Sequence, residues 1–403
     1  MSLSKMASAD AEHAIEQLRF GVPPSDKTSD FTVGRDSQIQ ELIESLEAKK
    51  EQRALLVHAN YGAGKSHLLR VLRELALKRG FAVAFIVADA QGGVRFNRMD
   101  TIFGAVCREI EVPGKPGKGI GVLFDVYRRA DESKLARSAI RDREAISNQK
   151  AWNFSERLKS PGIYVALRAW VHGGDSQAIR DRIGAWLSNP ESYRSQRQLL
   201  YRELVASLRA HFRETRAEWQ FYADEVFLFH TGGHRQSWDA LADIHTLALC
   251  SGYRGLVLLV DEFEDVIQNL PRSDYKQMAF LNLFRFFSGE RFPGRAYFAV
   301  TPDFALKCKR ELQSRGVYDF DYRSFDNLPY FRLEPIEVDD MLLLAKRIRT
   351  VHAIAYDWRA EKDVSDRELR EHCGKMMISN APDKIRQAIK TVVELLDARL
   401  DGG

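Results

Sequence analysis

The sequence has few cysteines and no long apolar run. Its cysteines form no C-x-x-C pair, which argues against a disulfide framework and against a cysteine-based zinc site. They are Cys107, Cys250, Cys308 and Cys373. The longest apolar run, Phe81 to Ala88, is far shorter than the roughly 18 residues that cross a bilayer, and the first residues lack the apolar core of a signal peptide. We therefore expect reduced core thiols, no membrane contact and a location in the cytoplasm.

No class of residue is strongly over-represented in the chain as a whole. Hydrophobic residues make up 45% and charged residues 29% of the 403 positions, which is typical of a folded globular protein and excludes a disordered or collagen-like chain. This length allows two or three compact units, or one large unit with an insertion.

Charge is distributed unevenly along the chain. The net charge is +4, yet the segment from Lys115 to Arg216 holds 20 Lys and Arg against 11 Asp and Glu, a net charge of +9. Clustered basic residues suit a polyanionic partner such as DNA, because they bind phosphates. The alternative is a solvated face of arginine-rich helices.

Apolar runs and helical periodicity predict an α/β fold. A strand, an amphipathic helix and a second strand follow one another over Ala54–His58, Ser66–Lys78 and Phe81–Ala88. This order implies a parallel sheet with helices on both faces. Strand character returns at Leu256–Val260, Ala296–Val300 and Tyr330–Leu333.

The remaining segments have helical periodicity, including Ala9–Arg19 at the start and Val338–His352 and Asp383–Leu400 at the end. We predict four parts. Residues 1–94 are an N-terminal helix and the first part of a nucleotide-binding core, 95–243 a helical, basic insertion, 244–335 the second part of the core, and 336–403 a C-terminal helical lid.

A glycine-rich sequence lies between the first strand and its helix. The run His58-Ala59-Asn60-Tyr61-Gly62-Ala63-Gly64-Lys65-Ser66 fits the phosphate-binding pattern G-x-x-x-x-G-K-[ST] except that Ala59 replaces the first glycine. Backbone N–H groups and a helix N-terminus would bind phosphate, Lys65 would reach the β- and γ-phosphates of ATP, and Ser66 would ligate Mg²⁺. The predicted nucleotide-binding residues here are Asn60, Tyr61, Gly62, Ala63, Gly64, Lys65, Ser66 and His67.

The strand Leu256–Val260 runs into two carboxylates, Asp261 and Glu262. The carboxyl end of a parallel strand is where ligands bind in such sheets. We expect Asp261 to hold Mg²⁺ through water and Glu262 to act as general base on the attacking water. Glu264 and Asp265 are interpreted as first-turn residues of the next helix.

Further candidates lie in the last third of the chain. Thr301 follows a strand and could orient the water or touch the γ-phosphate. An arginine supplied by a neighbouring subunit would complete the site, with Arg315 and Arg323 as candidates, and the simpler interpretation of each is a solvated surface arginine. Lys384 or Arg386 could fold over the nucleotide.

The order of these motifs resembles an AAA+ ATPase, in the branch with origin-recognition and signal-transduction ATPases. More narrowly, the chain resembles the ATP-binding protein family of BREX bacteriophage-exclusion systems. The residues that carry the resemblance are Leu18–Pro23, Val33–Asp36, Tyr61–Ser66, Ala185–Leu187, Gly252–Leu256 with Asp261–Glu264, and Thr301–Phe304. The resemblance also adds Val33 and Gly34 to the nucleotide-binding candidates.

The resemblance implies prokaryotic antiviral defence, together with other defence proteins and with DNA. We therefore expect a Mg²⁺-dependent ATPase that acts as a nucleotide-dependent switch or motor, and whose copies assemble when nucleotide binds. Two alternatives stay open: a nucleotide-gated protein scaffold with slow turnover, and a loader that delivers a helicase or nuclease to DNA.

Overall fold

A computed structural model of the protein describes residues 6–22, 24, 28–48, 53–88, 94–130, 158–172, 177–189, 235–264, 270–378 and 383–402. Much of the basic segment between Lys115 and Arg216 lies outside these ranges, as does Asp265. Among the described helices, none has both the length and the apolar character that a bilayer crossing requires.

Six strands form one sheet. They are β1 (Ala54–His58), β2 (Ala82–Val87), β3 (Ile110–Glu111), β4 (Leu256–Asp261), β5 (Arg295–Val300) and β6 (Tyr330–Arg332). Their order across the sheet is β3-β2-β4-β5-β1-β6. All neighbours pair in parallel except β2 and β3. The sheet is therefore mostly parallel, with a short antiparallel edge strand that the sequence pattern did not predict.

The described helices of the first half are α1 (Ser8–Arg19), α2 (Asp36–Glu47), α3 (Lys65–Lys78), α4 (Met99–Glu109), α5 (Ile120–Ala130), α6 (Pro161–His172), α7 (Gln177–Ser188) and α8 (Arg235–Cys250). Those of the second half are α9 (Ser273–Ser288), α10 (Phe304–Ser314), α11 (Arg323–Asp326), α12 (Val338–Tyr356), α13 (Ala360–Asp363), α14 (Asp366–Met377) and α15 (Lys384–Asp401).

Helices cover both faces of the sheet, because buried side chains alternate along the strands. Leu55 and Val57 of β1 face α2 and α3, whereas Leu56 lies on the opposite face with α4 to α11. The helices of the predicted insertion belong to this second core: Trp186 of α7 and Trp238 of α8 are fully buried in it. The insertion therefore packs on the sheet and shares its core.

A separate helical bundle consists of α1, α12, α14 and α15. Its apolar core includes Ile15, Leu18, Ile348 and Val392, none more than 2% exposed. The N-terminal helix α1 thus packs with the C-terminal helices, rather than with the sheet that follows it in sequence. Periodicity predicted that α1 is amphipathic, but it carried no information on which partner covers its apolar face.

Candidate nucleotide-binding site

The glycine-rich loop, residues 59–64, connects the carboxyl end of β1 to the first turn of α3. Gly62 and Gly64 have φ values of +72° and +96°, and Gly64 is the N-cap of α3. These dihedrals favour glycine and turn the chain sharply enough to expose the N-terminus of α3. Partial positive charge and unpaired N–H groups at such a terminus suit a phosphate.

Ala59 fits the loop without strain. It is 3% exposed, packs in the core on the α3 side, and donates its N–H to the carbonyl of Val300 at 3.1 Å. Positive φ values occur at only two non-glycine residues of the described part of the chain, Glu262 and Asp357. The missing first glycine of the motif therefore imposes no dihedral penalty.

Lys65 lies in a cleft that is lined by the glycine-rich loop, the end of β4 and the helical bundle. Three groups contact its ammonium group there. Its Nζ lies 3.0 Å from Oε1 of Glu264, donates to the carbonyl of Ala59 at 2.9 Å, and lies 4.8 Å from the centre of the Tyr61 ring. Glu264 does lie in a first helical turn, but its carboxylate also forms an ion pair with Lys65, which our interpretation missed. No spacing in the sequence indicated this pair, because Asp261 is the last residue of β4 and only Glu264 lies in the helix that follows.

The acidic end of β4 faces the same cleft. Asp261 is 5% exposed, and its Oδ1 accepts the N–H of Glu262 at 3.0 Å. Glu262 has a φ of +54° and an exposed side chain that lines the cleft. A non-glycine residue in this region carries a backbone cost on the order of 1 kcal/mol, which is common where a side chain must be aimed at a ligand.

Thr301 follows β5, the strand between β1 and β4 in the sheet. It is 4% exposed and lines a neighbouring cavity of about 430 Å³, the side cavity, together with Glu264, Lys307 and Glu311. Glu264 also lines the cleft, so its side chain forms part of the wall between the two spaces.

The segment before α2 closes another side of the cleft. Arg35 is 5% exposed and donates to the carbonyls of Glu334 and, at 3.3 Å, Ala63 of the glycine-rich loop. His67 bonds to Thr32 Oγ1 at 2.8 Å. Burial, with Arg35 and Arg70 nearby, lowers the pKa of His67 to about 4. The Val33–Asp36 motif contains Arg35, but the sequence alone indicated no role for it.

The helical bundle supplies the apolar side of the cleft, whose volume is about 250 Å³. Its lining residues there include Leu18, Leu344, Ile385, Arg386 and Ile389. A Cβ placed on Gly21 would lie 2.3 Å from Cγ of Arg386, so the turn that follows α1 packs directly against this arginine. The cleft therefore lies between the sheet edge and the bundle.

The structure brings most predicted site residues together. Those that line the cleft are Val33, Asn60, Tyr61, Gly62, Ala63, Gly64, Lys65, Ser66, His67, Asp261, Glu262 and Arg386. Gly34 adjoins the cleft and packs against Asp340, while Thr301 lies in the side cavity.

Three further predicted residues line neither the cleft nor the side cavity. Lys384 donates to the carbonyl of Met377 at 3.4 Å. Arg315 pairs with Glu311 at 2.8 Å and donates to the carbonyl of Pro271 at 2.8 Å. Arg323 is exposed at the start of α11. Within this chain, none of the three reaches the glycine-rich loop.

A comparison of the sequence with protein-family models also points to nucleotide binding. The model described as BREX system ATP-binding protein BrxC/D matches residues 6–162 and 231–401. The chain belongs to this family. Membership implies an ATP-binding role in phage defence. Residues 163–230, in the middle of the predicted insertion, lie outside the match. Searches of curated proteins and of solved structures find no match.

The residues at the cleft suit the Mg²⁺ that accompanies ATP in such sites. Ser66 and Asp261 offer one hydroxyl and one carboxylate, and Mg²⁺ usually takes one or two protein ligands together with phosphates and water. Asp261 keeps its Oδ1 bonded to the N–H of Glu262, which orients the carboxylate. Across the described residues, no group of three or more His, Cys, Asp or Glu side chains forms a metal cluster of its own.

Proposed function

We propose that the protein is a Mg²⁺-dependent ATPase that acts as a nucleotide-dependent switch or motor in phage defence. The observation that carries the proposal is the cleft itself, where the glycine-rich loop, the Asp261–Glu262 pair and the helical bundle face one another. An AAA+-like arrangement, with the bundle as lid, accounts for all three walls.

Each wall has a chemical task in this proposal. The loop N–H groups and Lys65 bind the phosphates and neutralise their charge. Glu262 takes a proton from the attacking water, and Thr301 helps to orient that water. Ser66 and Asp261 would hold Mg²⁺, which would supply positive charge to neutralise the phosphates. The apolar residues of the bundle side, with Val33, receive the base.

In this proposal, the position of the bundle relative to the sheet depends on which nucleotide is bound. Arg386 and Ile385 of α15 line the same cleft as Lys65 and Glu262, so ATP in the cleft would contact both the bundle and the sheet domain. A ligand shifts a conformational equilibrium only when it binds the two states with different affinity. Contacts from Arg386 to the γ-phosphate would provide that difference between ATP and ADP.

DNA is the proposed partner of the basic segment. Among its described residues, Lys115, Arg129, Lys159 and Arg182 are exposed. If they contact phosphates, the affinity for a short duplex should fall steeply as salt rises from 50 to about 200 mM. A flat response would favour the scaffold alternative.

Arg315 and Arg323 are proposed to act on a neighbouring copy. Both lie on the surface away from their own cleft, as a residue acting in trans must. Sedimentation with ADP, with a slowly hydrolysed ATP analogue, and with duplex DNA tests this assembly. We expect the larger species only with the analogue. Other phage-defence proteins are proposed as further partners.

The central experiment separates binding from hydrolysis. Lys65→Ala should abolish ATP binding, because the loop loses its phosphate cation. Glu262→Gln should bind ATP normally but lower turnover by about 100-fold or more, the usual effect of removing a general base. Binding is measured by calorimetry and turnover by phosphate release.

The two variants also distinguish the alternatives. Wild-type turnover by Glu262→Gln would contradict the assigned general base. ATP binding without measurable hydrolysis in the wild type would favour the nucleotide-gated scaffold.

A further inference from the structure

The Lys65–Glu264 pair lies where the proposed function requires phosphate. The side chains are only 9% and 5% exposed, and 3.0 Å separates Lys65 Nζ from Glu264 Oε1. Lys65 also donates to the Ala59 carbonyl. The ammonium group has three N–H donors, so an arriving phosphate must share or replace its present partners.

It is electrostatically unfavourable for Lys65 to bind Glu264 and a phosphate at the same time. A phosphate on Lys65 would bring its negative oxygens close to the Glu264 carboxylate in a water-poor site. Like charges at such separations disfavour one another strongly. The phosphate and Glu264 therefore compete for one cation.

The side cavity gives the displaced carboxylate another environment. Glu264 lines that cavity with Thr301 and Lys307. Lys307 is paired with Asp303 at 2.9 Å. The pairing with Asp303 is the largest cause that raises the pKa of Lys307, and the charge of Glu264 raises this pKa further. A carboxylate that leaves Lys65 towards this cavity meets a hydroxyl and a second cation.

We propose that Glu264 is an internal competitor of the nucleotide phosphates. It neutralises Lys65 in the empty cleft, and phosphate binding displaces it towards Thr301 and Lys307. Occupancy of the cleft thereby changes the charge pattern of the side cavity. The inference rests on the proposed function, because it concerns the same lysine.

Glu264→Gln tests the competition on the full chain. We expect the Kd for ADP and for ATP to fall by about tenfold, which corresponds to 1.4 kcal/mol. The fall should appear both with Mg²⁺ and with EDTA, since the competition is for Lys65 and not for the metal. Isothermal titration calorimetry measures all four combinations.

The chain offers a closely matched control. Glu111 of β3 has a side chain only 12% exposed, pairs with Arg73 of α3, and lines neither the cleft nor the side cavity. Glu111→Gln therefore removes another paired, mostly buried carboxylate, away from both spaces. Its Kd values should equal those of the wild type.

The other outcomes contradict the inference. An unchanged Kd for Glu264→Gln means that the pair does not compete with phosphate, and weaker binding only with Mg²⁺ means that Glu264 serves the metal. If this variant does not fold, Glu264→Asp retracts the carboxylate and should give a smaller fall in Kd; no fall there also overturns the inference. A wild type that binds no nucleotide contradicts the proposed function itself.

Discussion

At the residue scale, Gly34 belongs to a short motif but has a packing role that the motif alone did not indicate. Its φ is +62°, and an added Cβ would lie 2.2 Å from Cγ of Asp340. Asp340 Oδ2 accepts the N–H of Glu337 at 3.2 Å as part of the capping box of α12. Gly34 therefore lets the chain before α2 lie close to the first turn of α12 in the bundle.

Gly34→Ala tests this close approach. The left-handed backbone costs an alanine roughly 1 kcal/mol, and the collision with Asp340 adds about 1–3 kcal/mol. We expect the urea midpoint of unfolding to fall accordingly. Gly184→Ala is the control, because a Cβ there meets no atom within 4 Å and alanine favours a helix. Equal stability of Gly34→Ala and the wild type would show that Asp340 and α12 move to accommodate the added methyl group at little cost in free energy.

The contrast between two groups of site residues explains what sequence could predict at this scale. Residues 60–67 are contiguous, so one motif located them all. Lys65 and Glu264 meet only because β1 and β4 end at the same sheet edge. No spacing along the chain predicts such a pair before the strand order is known.

At the scale of elements, His245 joins α8 to β4. Its Nδ1 accepts the N–H of Leu256, the first residue of β4, at 3.1 Å. A Cβ on Gly255 would lie 2.4 Å from the His245 ring, which explains the need for glycine just before this strand. Burial, together with Arg53 and Arg295, lowers the pKa of His245 to about 4.

This contact predicts a pH dependence. A histidine whose pKa falls from 6.5 to about 4 on folding stabilises the protein above pH 6.5, and that contribution is lost as the pH falls towards 4. At pH 5 the loss is about 2 kcal/mol. His245→Gln keeps an acceptor for Leu256 but cannot be protonated, so the difference in urea stability between pH 7 and pH 5 should shrink.

The exposed His13 provides the control for this measurement. His13→Gln should leave the difference between the two pH values as large as in the wild type. If His245→Gln also leaves it unchanged, His245 does not govern the acid sensitivity. His58 and His67, whose pKa values burial also lowers to about 4, then become the candidates among the described residues.

Most elements could be predicted, and the exceptions have physical reasons. Buried strands such as Leu256–Asp261 form continuous apolar runs, so the predicted ends agree within one or two residues with the observed ones. The two-residue strand Ile110–Glu111 is too short for any periodicity, and its pairing with β2 depends on where α4 ends.

At the scale of the whole molecule, the N-terminal helix and the C-terminal helices form one body beside the sheet. Arg19 of α1 donates to both carboxylate oxygens of Asp397 in α15, at 2.9 and 2.7 Å, and to Tyr356 of α12. His352 bonds to the same carboxylate at 2.9 Å and accepts from Trp358. These bonds join α1 to two helices that lie more than 300 positions later in the sequence.

The bonds of Arg19 help to set the shape of the cleft. Leu18 and Gly21 lie on either side of Arg19 in the sequence, and both line the cleft with Arg386. Arg19→Met keeps the length of the side chain but removes the bonds to Asp397, so we expect the Kd for ATP to rise by about five- to tenfold although no loop residue changes. Arg367→Met is the control: Arg367 is 89% exposed and pairs only along its own helix with Glu371, where a surface pair contributes little. Calorimetry measures both variants, and urea unfolding shows whether the bundle is still formed. A folded Arg19→Met protein with wild-type affinity would mean that the sheet edge alone supplies the binding energy, and that the bundle rests on the nucleotide without helping to hold it.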